Sequence, residues 1–262
     1  MAGNKKFEID GENMDGNNIV FKCNFCDGGK NKNVFGFNGI CTKEMINYNI
    51  GKKGRSWCSH QNSYCRQYYD GEIDYEELKE ISKEESLCYE SQLLNKWIAY
   101  AGWDNNNRVK PRSISNAKIG KLTVLTVVYP NDDEKERRIF AVFLIDDYYK
   151  GDGKDNEGYV ACNSEYKINF TPNETSRMKF WDFYRNENSD ECQWGSGLTR
   201  YIDDITAVQI LKQAYNVKKN TADEQLANKF LNHYCKINGV SLNEIPEPDG
   251  SRNEKRKGYI TI

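Results

Sequence analysis

Five of the nine cysteines lie in the first quarter of the chain, at Cys23, Cys26, Cys41, Cys58 and Cys65. The other four, Cys88, Cys162, Cys192 and Cys235, stand singly over the rest of the 262 residues. Residues 1–72 are otherwise rich in Asn, Gly, Lys and Asp and poor in aliphatic side chains. A segment with so little apolar mass buries too little surface to offset its chain entropy unaided. A structural zinc ion supplies about 10–16 kcal/mol of apparent binding energy, enough to decide whether such a segment folds. The cysteine pattern therefore predicts a zinc-stabilised module over residues 1–72.

The chain opens Met1-Ala2-Gly3-Asn4-Lys5-Lys6 and continues polar, without the apolar run of a signal peptide or the roughly 20 apolar residues of a membrane span. The expected setting is the cytoplasm, where thiols stay reduced and clustered cysteines bind metal more often than they pair. The odd cysteine count also argues against a fully paired disulfide set. Cys23-Asn24-Phe25-Cys26 is a CxxC spacing, and Cys58 and Cys65 offer a second pair with His60 between them. Two pairs from distant points make the tetrahedral, closed arrangement of a structural Zn2+ site. The preferred ligand set is Cys23, Cys26, Cys58 and Cys65, with Cys41 and His60 as substitutes; an iron–sulfur cluster and free buried thiols are the alternatives.

Beyond the cysteines, texture divides the chain. Asp74 to Lys83 reads as a helix capped by Asp74, with Leu78 and Ile81 on one face. A second helical piece runs from Tyr89 to Trp97, so residues 73–96 form a helical connector. Leu122 to Tyr129 and Arg138 to Ile145 are β-branched and apolar runs separated by the turn residues Asn131-Asp132-Asp133, and Gly158 to Cys162 and Tyr166 to Phe170 read as shorter strands. The last third reads as helical: Glu174 to Tyr184 with Met178 and Trp181 inward, a helix behind Asp203-Asp204 with Ile205, Val208, Leu211 and Tyr215 in a stripe, and a helix opened by a Thr221/Glu224 capping box and stopped at Gly239. Strands clustered together rather than alternating with helices predict an α+β protein and argue against a parallel βαβ sheet. The expected units are the cysteine module, the connector, a β-barrel over 97–172, a helical region over 173–240 and a tail over 241–262.

The formal net charge is -2, so no global positive field draws the chain to nucleic acid. Local charge differs. From Asp104 to Lys121, Arg108, Lys110, Arg112, Lys118 and Lys121 face a single acid, a window suited to lining phosphates. Catalytic patterns are missing: no GxSxG, P-loop, GxGxxG or HExxH occurs, and His60 and His233 are the two histidines. The acids that could serve a metal-dependent nuclease are Glu134, Glu136, Asp146 and Asp147. Binding is the stronger class of expectation.

Aromatic residues make up 13% of the chain, including 17 Tyr and 5 Trp. Trp97, Tyr100 and Trp103 fall within seven residues, and Trp181 follows later. Trp194 to Tyr201 combines two flat faces with Gly195, Gly197 and the donor fork of Arg200. Such mixtures suit an unpaired or flipped base. Three stretches, Trp97-Ile98, Ile119-Gly120-Lys121-Leu122 and Arg138-Ile139-Phe140-Ala141-Val142, make the span from Trp97 to Tyr184 resemble a PUA-like barrel, the superfamily of EVE, YTH, ASCH and SRA domains. The resemblance covers about a third of the chain. It implies recognition of a modified or flipped base in an aromatic pocket, with Trp97, Trp103, Trp181, Trp194 and Tyr201 as cage candidates. It also implies DNA or RNA as ligand, with DNA the favoured expectation, a place in bacterial restriction, and an effector nuclease or NTPase in a further domain or another protein. A zinc-bearing protein–protein adaptor is the blander expectation.

Overall fold

The computed structural model describes residues 18–29, 35–104, 110–186 and 191–252. The front end contributes one strand, β1 (Asn18–Cys23), and four short helices: α1 (Lys43–Asn47), α2 (Tyr64–Asp70), α3 (Tyr75–Glu84) and α4 (Leu93–Lys96). Six strands follow: β2 (Ile98–Tyr100), β3 (Leu122–Val127), β4 (Arg138–Leu144), β5 (Asp147–Tyr149), β6 (Tyr159–Ala161) and β7 (Lys167–Asn169). The chain continues with α5 (Pro172–Thr175), β8 (Thr199–Ile202), α6 (Asp204–Lys218) and α7 (Glu224–Asn238). The protein is α+β. Its described strands form a five-stranded sheet in the order β7-β4-β3-β1-β8 and a three-stranded sheet in the order β2-β6-β5. Among the described residues neither sheet closes into a barrel.

The large sheet is buried on both faces, as the unbroken apolar runs of β3 and β4 predict. All six residues of β3 are buried. On one face Val20, Val124, Val142 and Ile168 pack under α6 and α7 with Trp181 and Phe230. On the other, Ile19, Phe21, Leu125 and Phe143 meet Phe35, Phe37, Ala99 and Val160 from the front end and the small sheet. A β-bulge lets β4 serve both faces. The register jumps from Leu125↔Ala141 to Thr126↔Ile139, leaving Phe140 as the extra residue. Phe140 and Ala141 thus fall on the same side, and the Phe140 ring stacks on Phe37 at 3.9 Å.

β1 joins the module boundary to the core in a way its sequence hides. It runs parallel to β3 and antiparallel to β8, so a strand from the expected cysteine module lies inside the main sheet. Only Ile19-Val20-Phe21 is apolar, and its partners are distant in sequence, Val124 and Arg200 facing Val20 from β3 and β8. Asn18 anchors its start. Asn18 Oδ1 accepts from the Leu122 amide at 2.8 Å, and Asn18 Nδ2 donates to Asp204 Oδ1 at 2.9 Å. Asp204 also receives Lys121 Nζ at 2.8 Å, and the Tyr234 hydroxyl lies 2.7 Å from its Oδ1. One polar knot therefore ties β1, β3, α6 and α7.

Local capping signals mostly form as read. Asp74 accepts from the Glu77 amide and caps α3, Asp203 accepts from the Thr206 amide and caps α6, and Gly239 closes α7 with φ 65°. The Thr221/Glu224 box does not form: Asp223 takes the cap position, and Glu224 accepts from the Asn220 amide. The helix expected over Glu174 to Tyr184 is replaced by α5, an Arg138↔Lys179 bridge and a 3-10 turn at Phe180–Asp182. Its apolar residues still face inward, with Met178 and Trp181 fully buried. Edge pairing to β4 satisfies backbone groups that a helix would have satisfied internally. No helix among the described residues is long and apolar enough to cross a membrane.

Candidate functional site

A tyrosine row lies on the outward face of the small sheet. Antiparallel register sets Tyr100 opposite Tyr159, and Tyr159 opposite Tyr149. Strand alternation explains the split: Ala99 and Val160 point into the core, so their neighbours Tyr100 and Tyr159 point away from it. Ring centroids are 6.0 Å apart for Tyr100–Tyr159 and 6.2 Å for Tyr149–Tyr159. These rings, with Trp103, Asp155, Asn156 and Glu157, line a cleft of about 510 Å³.

Trp103 reaches the cleft through a turn. Gly102 takes φ 77°, and its amide donates to Glu157 Oε2 at 2.7 Å. Trp103 then bridges Pro111, while Arg112 N donates to Gly102 O and Asp104 N to Lys110 O. The segment carrying Lys110 and Arg112 is therefore the strand-like partner of the Trp103 segment. Arg112 O in turn accepts from the Gly158 amide. Lys110 and Arg112 flank Pro111 in this pairing, each one residue from the position opposite Trp103. Burial, helped by the charges of Glu157, Asp152 and Asp147, raises the Tyr100, Tyr149 and Tyr159 hydroxyls above their ordinary value, so all three remain donors.

The row extends inward. Tyr89 stacks on Tyr100 at 5.1 Å, and Trp57 meets Tyr89 at 4.9 Å. The Tyr89 hydroxyl donates to Glu157 Oε1 at 2.5 Å, and Trp57 Nε1 donates to Leu87 O. Trp57 precedes Cys58, and Tyr89 follows Cys88, so the inner end of the ring row adjoins the thiols.

Those thiols are gathered, though not in the set the spacing suggests. Cys26 and Cys41 lie 3.8 Å apart, sulfur to sulfur, and Cys26 also donates to Gly39 O at 3.6 Å. Cys41, Cys58 and Cys65 pack together around Ile46, Ile50 and Leu78. Cys26 lies within electrostatic reach of Cys58, Cys65 and Cys88, and Cys88 within reach of Cys41 and Cys58. Burial pushes the Cys58 thiol up to about 12 and the Cys65 thiol up to about 11. As they lie, no three His, Cys, Asp or Glu side chains among the described residues stand close enough to hold a metal ion. Cys23 stands apart. It ends β1 in register with Val127, and the groups acting on it are Glu90, Arg137 and the Thr126 backbone, with no thiol among them. His60 is half-buried, and its Nδ1 accepts from the Asn62 amide.

The other expected site residues disperse. Trp181 is fully buried and donates to Glu134 O, so it belongs to the core. Trp194 is buried between two guanidiniums, Arg137 at 4.6 Å and Arg200 at 5.3 Å. Arg200 folds onto its own loop, donating to the carbonyls of Thr199, Ser196 and Trp194. Trp97 packs edge-on against Phe143 at 6.2 Å, on the core side. Tyr201 lines a separate cleft of about 820 Å³ with Tyr184, Asp203 and Pro246. Arg108 lies outside the described residues. Lys118 sits in the turn before β3, where Asn238 of α7 holds Gly120 O, and Lys121 is committed to Asp204. The basic window thus divides, with Lys110 and Arg112 on the segment paired with Trp103 and Lys118 and Lys121 near α7. Tyr149 and Tyr159 escaped the sequence reading, although Tyr149 ends β5 and Tyr159 begins β6, each a terminal aromatic residue of a short strand.

The acids do not assemble. Glu134 is paired with Arg137 at 2.5 Å, and Glu136 with Lys179 at 2.5 Å. Asp146 accepts the Asn163 and Ser164 amides, and Asp147 accepts from the Tyr159 hydroxyl. Burial would raise the Asp146 carboxyl, but the two amides outweigh it and hold it below its usual range. His233 stacks on Tyr166 at 4.2 Å.

Compared with known proteins, the chain matches no protein-family model, no curated protein and no solved structure.

Proposed function

We propose that the protein is a nucleic-acid-binding module that stacks an unpaired or flipped base in the cleft of Tyr100, Trp103, Tyr149 and Tyr159. The observation that carries this reading is the register-aligned tyrosine row with Trp103 at its end and Lys110 and Arg112 on the paired segment. Rings offer π-faces that any base can use, at about 1–3 kcal/mol per stacked base. The two cations supply a sequence-independent, salt-dependent hold on phosphate. Asp155 and Asn156 at the cleft can meet the edge of a base, a carboxylate accepting from an exocyclic amine and an amide pairing both ways. An extruded base costs less when modified or mismatched, which favours distorted or modified DNA over an intact duplex. A place in bacterial defence, upstream of a nuclease or NTPase, rests on the PUA-like resemblance alone.

A metal-dependent nuclease needs carboxylates converging on its metal. The pairing of Glu134 and Glu136 with cations, and of Asp146 with amides, leaves that alternative without support.

Fluorescence polarisation with labelled single-stranded and duplex DNA and RNA, with and without base modifications, tests the reading across a salt series. The expected result is binding that weakens with salt, with Trp103→Ala losing about five- to hundred-fold in affinity. Tyr201→Ala, in the other cleft, leaves affinity unchanged. Absence of binding to every oligonucleotide at low salt sinks the proposal, as does a Trp103→Ala protein that binds as wild type.

A further inference from the structure

We propose that Cys26, Cys41, Cys58 and Cys88 bind one structural zinc ion as a tetrathiolate, with Cys65 beside it and Cys23 outside it. With Zn–S bonds of about 2.3 Å, a tetrahedron places its sulfurs about 3.8 Å apart. Cys26 and Cys41 already stand at that separation, 3.8 Å. Backbone close approach sets this edge. A Cβ on Gly28 would lie 2.1 Å from Gly39 O, and one on Gly36 would lie 1.7 Å from Cys26 O. Only glycine at both positions lets the Cys26 segment lie against the segment leading to Cys41.

The other two ligands come from irregular chain. Cys58 lies in the turns between Arg55 and Asn62, and Cys88 in the link between α3 and α4. Either can move inward without breaking a helix or strand ladder. Ser91 Oγ donates to Cys88 O and the Gly39 amide to Ser91 O, which sets Cys88 beside the Gly39 carbonyl that accepts from Cys26, whereas Cys65 is held within α2. Cys23 is fixed by the β1–β3 ladder, so the CxxC spacing does not become a knuckle.

A second observation points to an anion at this place. Arg55 acts on Cys58 and Glu90, and its Nε is buried with no hydrogen-bond partner among the described residues; Ser59 Oγ is buried in the same condition. Buried donors of this kind are normally satisfied. Four neutral thiols offer them little. Loading zinc releases four thiol protons to solvent and leaves four thiolates on one dication, a net charge of minus two. A neighbouring guanidinium and a hydroxyl are the donors that such a centre collects around its sulfurs.

The test is elemental analysis of the purified full chain together with cobalt substitution. The expected wild-type result is one equivalent of zinc. Replacement with Co(II) should give the visible bands of a tetrahedral site and an intense sulfur-to-cobalt charge-transfer band for four thiolates. Cys88→Ser should lose the metal and Cys23→Ser should keep it. Because Cys88→Ser can fail to fold, Cys88→His provides the second arm: it should retain metal with the visible bands shifted to those of three thiolates and one nitrogen. Metal-free or iron-containing wild-type protein overturns the assignment. So does loss of metal in Cys23→Ser, full retention in Cys88→Ser, or an unshifted cobalt spectrum in Cys88→His.

Discussion

The two ends of the molecule are held together by different physics. Beneath α6 and α7, a continuous apolar layer runs from Val20 through Trp181 and Phe230 to Ile245, and both helices have fifteen residues. Around α1, α2 and α3, the buried apolar set is Ile46, Ile50 and Leu78, and the helices have five, seven and ten residues. Isolated helices that short are marginal in water, and three aliphatics bury little surface. The front end holds in its place five neighbouring thiols and a run of rings. A region can be ordered by area or by cross-linking; the α6–α7 end uses area, and on the tetrathiolate proposal the front end uses cross-linking.

The largest effect that separates them is chelation. On the tetrathiolate proposal, stripping zinc with a strong chelator should abolish amide protection around α1–α3 while α6 and α7 retain theirs, since structural zinc contributes about 10–16 kcal/mol of apparent energy. Hydrogen exchange measured by mass spectrometry reads both ends in one experiment, and uniform loss of protection would break the comparison. Next comes Trp181→Ala. Trp181 is fully buried and hydrogen-bonded to Glu134 O. Its truncation should cost about 3–5 kcal/mol and lower Tm without changing metal content. Loss of metal in that variant would show the two ends to be one cooperative unit.

The smallest effect concerns the knot at the start of β1. Burial alone would raise the Asp204 carboxyl, but hydrogen bonds from Lys121, Asn18 and Tyr234 outweigh it and hold the group below its ordinary range. A carboxyl with a depressed folded value stabilises the protein above its unfolded value, near 4, and that stability is lost as pH falls through the folded value. Asp204→Asn should therefore cost about 1–2 kcal/mol at pH 7, after allowance for partial exposure, and flatten the acid limb of stability below about pH 4. Denaturant titrations at several pH values check this, and an unaltered acid limb would exclude Asp204 as the source.

What could be read from residues alone follows from how local each determinant is. The caps at Asp74 and Asp203 and the unbroken apolar runs of β3 and β4 are signals within a few residues, and they produced the expected elements. β1 depends on Val124 and Arg200, its partners far along the chain, so its three apolar residues carried too little signal. Met178, Trp181 and Phe183 have helical spacing, yet pairing of Lys179 with Arg138 at the sheet edge overrode it. The site was half legible. Tyr100, Trp103, Lys110 and Arg112 were named from their clustering, but Tyr149 and Tyr159 joined them through register. Trp181, Trp194 and Arg200 were drawn into the interior by hydrogen bonds and cation–π contacts that spacing does not encode. Cys88 was passed over because it is alone in sequence, though not in space.

The rings from Trp57 through Tyr89, Tyr100 and Tyr159 to Tyr149 form an unbroken line of contacts. Packed side chains transmit displacement because there is no void to absorb it. Trp57 and Tyr89 are one peptide bond from Cys58 and Cys88, so this line of rings puts the sulfurs and the solvent-facing rim at Tyr149 at the two ends of one packed path.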